Sequence, residues 1–90
     1  MIEKVNPSHP DKIADRIAGA ILDLAYELEK EPKVAVEVLI GHGSCHVIIE
    51  TTVQLKKEAI EKIVERIAGK VQSDVVIVPQ DKYLDHEYLE

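Results

Sequence analysis

The apolar positions of this chain change period several times, and each change marks an element. Ile2 to Val5 is a short apolar run that reads as a strand. Asn6-Pro7-Ser8-His9-Pro10 breaks it, because Pro7 and Pro10 carry no backbone N–H for a ladder. Pro10 suits a first helical turn. From about Pro10 to Glu29, Ile13, Ile17, Ile21, Leu24 and Leu28 fall on one stripe of a 3.6-residue period. This predicts an amphipathic helix, ended by Glu31-Pro32. Lys33 to Ile40 alternates, with Val34, Val36, Val38 and Ile40 on one face and Lys33, Ala35, Glu37 and Leu39 on the other. Gly41-His42-Gly43-Ser44 reads as a hairpin turn, with glycines able to take positive φ. The return strand runs from about Cys45 to Val53. A second helix is predicted from about Lys56 to Ala68, with Ile60, Ile63, Val64, Ile67 and Val71 at helical spacing and Gly69 as terminator. Val75 to Val78 is continuously apolar, as in a central strand.

The predicted order is β-α-β-β-α-β, an α+β two-layer sandwich with one sheet and two helices on one face. With no long linker, low-complexity tract or internal repeat, residues 1–90 read as a single domain. The hairpin pattern also predicts a register. A four-residue turn opposes Ile40 with Cys45, Val38 with Val47 and Val36 with Ile49, which groups the two apolar faces under the helices. A slip of one residue would break that grouping. The other face then carries Ala35, Glu37, Leu39, His46, Ile48 and Glu50, with no helix of this chain left to cover it. Apolar residues interleaved with carboxylates suggest an interface that also hosts polar chemistry. In this register Glu37 and Glu50 are diagonal neighbours, roughly 7–8 Å apart at the backbone.

Composition narrows the chemistry. The formal net charge of −6 argues against nucleic acid, where affinity comes from Lys and Arg on phosphates. Trp and Phe are both absent, so base-stacking platforms are missing as well. No apolar run approaches the ~18 residues of a membrane span. A single cysteine, Cys45, allows no intrachain disulfide, and with no secretory apolar segment this fits a cytoplasmic protein. There is no G-x-x-x-x-G-K-[ST], so any ATP site is not a P-loop. His42, Cys45 and His46 raise a zinc-module reading. Cys45 and His46 are adjacent in a strand and point to opposite faces, which works against it.

The informative stretch is Ser8-His9-Pro10-Asp11-Lys12-Ile13-Ala14-Asp15. It resembles the G-H-P-D-K-I-A-D segment that opens the first helix of methionine adenosyltransferases, also called S-adenosylmethionine synthetases. Lys33-Val34-Ala35-Val36-Glu37 resembles the family's V-A-C-E strand, and Ile49-Glu50-Thr51-Thr52 its G-E-I-T-T strand, shortened by one residue. Ile67-Ala68-Gly69 falls where the family's second helix ends. The matches keep their order and nearly their spacing, over about residues 3 to 74. The chain departs from the pattern at Pro7-Ser8, where the family has Glu-Gly, at Ile48-Ile49, where it has glycines, and in Pro79 to Leu84. The resemblance implies a much longer protein of three such domains, whose later domains supply lysines and a second metal-binding aspartate.

The resemblance also implies a reaction. The methionine sulfur attacks C5′ of ATP, the triphosphate leaves, and it is hydrolysed to phosphate and diphosphate. It further implies a site lying between two subunits whose sheets face each other. The implied site residues are His9 for catalysis and ATP, Lys12 for ATP, Asp11 for Mg²⁺, Glu37 for K⁺ and Glu50 for L-methionine. The residues themselves allow plainer roles. His9 beside a helix start can be a half-exposed capping neighbour. Ser8-x-x-Asp11 also reads as a capping box. Glu37 can be a solvated strand carboxylate, and Glu50 a cross-strand partner for a lysine. The expected function is therefore a part of a methionine adenosyltransferase that acts as a homo-oligomer or with further domains. The alternative is a non-catalytic oligomerisation or scaffold module that keeps only the fold.

Overall fold

A computed structural model describes residues 10–80 of the chain. The expected first strand, Ile2 to Val5, lies outside them. Within them the order is α1 (Pro10–Leu28), β1 (Val34–Gly41), β2 (Ser44–Thr51), α2 (Lys57–Ala68) and β3 (Gln72–Pro79). The three strands form one sheet in the order β1-β2-β3, with β1 antiparallel and β3 parallel to β2. The architecture is α+β, with both helices on one face of the sheet.

The helices sit where the apolar stripes predict. Ile17 and Ile21 of α1, Ile60 and Val64 of α2, Cys45, Val47 and Ile49 of β2, and Val75 of β3 make one buried cluster. Ile13 and Leu24 pack against it, while Leu28, on the same stripe, is 55% exposed. Leu28 is the last residue of α1, and the packing ends a turn earlier, where Ala25 is fully buried. α2 stops at Gly69, whose φ of 82° few other residues adopt and whose N–H donates to the Glu65 carbonyl at 2.9 Å.

The hairpin register is the expected one: Val36 faces Ile49, Val38 faces Val47 and Ile40 faces Cys45. The turn is tighter than expected. Gly41 and Ser44 still pair, so only His42 and Gly43 form the tip. Their φ values of 53° and 76° have the sign a type I′ turn requires at both central residues. The left-handed position thus falls on a histidine, with Gly41 inside the ladder. β2 ends at Thr51, two residues short of the expected Val53, which is nonetheless buried.

β3 is longer than the apolar run Val75 to Val78, and among the described residues it is an edge strand. The central position belongs to β2, flanked on both sides and supplying most of the buried strand residues. β3 alternates instead: Val75 is buried, while Val76 and Val78 are 45% and 39% exposed on the opposite face.

Candidate functional site

Strand parity and pairing define the face of the sheet that is uncovered among the described residues. Glu50 stands between Ala35 and Val78, Ile48 between Glu37 and Val76, and His46 between Leu39 and Asp74. The apolar members of this face are open, with Leu39 72% and Ile48 50% exposed. Glu37, Val38, Leu39, His46 and Ile48 line a shallow concavity there.

The electrostatics of the face follow from its composition. Glu37, Glu50 and Asp74 bring three carboxylates, against one imidazole at His46 and no Lys or Arg on the three strands. His46 Nδ1 lies 3.5 Å from Asp74 Oδ2, with both side chains more than half exposed. A carboxylate-rich patch beside low-dielectric apolar groups favours a cation or an ammonium group over an anion. Glu37 is exposed, Glu50 half-buried.

The predicted site residues divide between layers. Glu37 and Glu50 share the uncovered face, diagonal across β1 and β2 as the register requires. Asp11 and Lys12 lie exposed in the first turn of α1, in the helical layer on the other side of the sheet. His9 lies outside the described residues. Among the described residues, no three His, Cys, Asp or Glu side chains are placed to share a metal ion. Cys45 is buried under the helices while His46 is on the open face, which removes the zinc-module reading. The sequence pattern alone does not place Asp74, Val76 and Val78 on the open face. The continuous apolar run of β3 conceals its alternation, and only the parallel register with β2 reveals it.

The fold and this face define a two-layer α+β domain with an unclad, acidic and apolar sheet surface. The family described as S-adenosylmethionine synthetase, N-terminal domain, matches residues 1–85. The chain belongs to that family. It is 38% identical to the S-adenosylmethionine synthase of Helicobacter pylori strain J99, over 68% of this chain and 18% of that protein. It is 36% identical to the S-adenosylmethionine synthase of Helicobacter hepaticus, over 81% of this chain and 18% of that protein. The chain therefore spans about a fifth of the length of the curated relatives it matches. Its fold is that of part of a solved structure, an unusual S-adenosylmethionine synthetase from Campylobacter jejuni, with a TM-score of 0.71, 21% identity, and coverage of 86% of this chain and 25% of the other. No described helix is long and apolar enough to cross a membrane.

Proposed function

We propose that this chain supplies the N-terminal part of a methionine adenosyltransferase site, joining ATP and L-methionine in the cytoplasm into S-adenosylmethionine with release of phosphate and diphosphate. Residues 1–90 act as one domain, and the site is completed by a second copy or by further domains. The observation that carries this reading is the pair Glu37 and Glu50, set on one uncovered sheet face amid exposed apolar side chains, in a chain of this family.

Each residue then has a task. Glu50 accepts charge-assisted hydrogen bonds from the methionine ammonium and orients the sulfur toward C5′. His9, next to the start of α1, donates to the departing triphosphate oxygen, helped by the helix dipole, and Lys12 adds positive charge to the phosphates. Asp11 and Glu37 offer hard oxygen donors, the chemistry that suits Mg²⁺ and K⁺. One carboxylate is enough at a magnesium site that also takes phosphates and water, so the donor set fits. Bound there, the cations would neutralise charge developing on the leaving triphosphate. Because Asp11 and Glu50 belong to different layers, one copy of the chain does not close the site around both.

Titrating ATP, Mg²⁺ and L-methionine into the isotopically labelled chain tests the reading. Expected are shifts at His9 and Asp11 with MgATP and at Glu50 with L-methionine, the latter reduced about tenfold or more in affinity by Glu50→Gln, the loss of one charge-assisted bond. Unchanged spectra at all three residues would overturn it. A second reading, a non-catalytic oligomerisation module, draws on the exposed Leu39, Ile48, Val76 and Val78. Product formation by the chain together with the rest of the enzyme separates the two.

A further inference from the structure

Thr51 is the buried polar side chain of the described core, at 2% exposure. A buried hydroxyl costs free energy unless it is bonded, so its partners show what holds it there. Thr51 Oγ1 donates to the Lys33 carbonyl at 2.8 Å and accepts from the Val53 N–H at 3.0 Å. The Thr51 carbonyl accepts from the Gln80 N–H at 2.8 Å. One residue thereby ties the segment leading into β1, the segment leaving β2 and the end of β3. Thr52 completes the closure: its N–H donates to the Lys33 carbonyl at 3.0 Å, and its Oγ1 accepts from the Lys33 N–H at 3.3 Å.

Glu50 immediately precedes this junction and points to the opposite face. Glu50 is thus one residue from the open end of the β1–β2 ladder, where strands fray most readily. We infer that Thr51 is a positioning residue for Glu50: its buried hydroxyl pins the end of β2, so that the Glu50 carboxylate is presented on the open face at a fixed site for a substrate ammonium group. The inference rests on the reading of Glu50 given above. A valine of the same shape would preserve the packing and leave the Val53 N–H, in a buried residue, without its partner.

The test compares Thr51→Val with Thr51→Ser, which keeps the hydroxyl, and with Ile60→Val, which loosens the same core cluster from α2 and leaves the Thr51 hydrogen bonds in place. Amide exchange and the pH titration of the Glu50 carboxyl carbon are read in the full chain. Thr51→Val is expected to speed exchange at Glu50 and Val53 by about tenfold relative to Ile60→Val and to move the Glu50 carboxyl signal, while Thr51→Ser restores both. Equal behaviour of Thr51→Val and Ile60→Val at those positions would overturn the inference. If Thr51→Val does not fold, native-state exchange of the unaltered chain decides. Opening of Glu50, Val53 and Gln80 as one unit supports the pin, and independent opening refutes it. L-methionine binding is measured alongside in the unaltered chain and in Glu50→Gln. A response that ignores Glu50→Gln discards the substrate role of Glu50 while leaving the exchange result to judge Thr51.

Discussion

Cys45 has no exposed surface at the hairpin end of the helix-covered face, and burial pushes its thiol above its ordinary value of 9.0. A buried thiol resists becoming a thiolate, the reactive form. Native protein should therefore react with a disulfide reagent only as fast as it opens, and denaturant should speed labelling by orders of magnitude. The sign of the linked pH effect follows. Below 9.0 the thiol is neutral in both states, so its contribution to stability is complete. As pH rises above that value, the unfolded chain loses the proton first and stability falls. Cys45→Ala should flatten that alkaline decline in a urea titration repeated from neutral pH upward.

At the level of elements, hydrophobic period decides most of what can be read from the sequence. The hairpin register was legible because a short turn opposes Ile40 with Cys45 and so puts Val34, Val36, Val38 and Ile40 on the same side as Cys45, Val47 and Ile49, a grouping that a slip of one residue destroys. That pairing also fixed Glu37 and Glu50 on the open face. The turn itself was less legible. Two glycines flank His42, and sequence alone favours glycine for the left-handed position, yet continued pairing at Gly41 and Ser44 hands one such position to the histidine. β3 resisted for a different reason. A run of valines and isoleucine has no period, and its partner comes from across the α2 connection rather than from a neighbouring turn. One element also invites repair. The N-cap of α2 is Lys56, with extended backbone, no side-chain cap and a cation beside the positive end of the helix dipole. The Ala59 N–H already donates to the Lys56 carbonyl at 3.0 Å, so the Lys56→Asp carboxylate should accept the Glu58 N–H and raise unfolding stability by about 1 kcal/mol, read from the urea midpoint at constant slope.

For the whole molecule, the uncovered sheet face is the main determinant of behaviour. Four large apolar side chains stand open on it, interleaved with carboxylates. If a second copy or further domain covers this face, Ile48→Lys should abolish association in sedimentation velocity. Its half-exposed position should leave the stability of the single chain within about 0.5 kcal/mol. An unaltered sedimentation coefficient would instead exclude a second copy as the cover of this face. The parallel pairing of β3 has a kinetic counterpart. β1 and β2 are joined by a two-residue tip and can zip together at once, whereas β3 must wait until α2 has been made and folded back. During synthesis on the ribosome, β2 therefore spends an interval with one bare edge, the interval in which a nascent chain is most open to pairing with a neighbour. Rapid docking of α2 into the core cluster that holds Ile49 and Val47 would shorten that interval, giving the crossover helix a protective task before the sheet is complete.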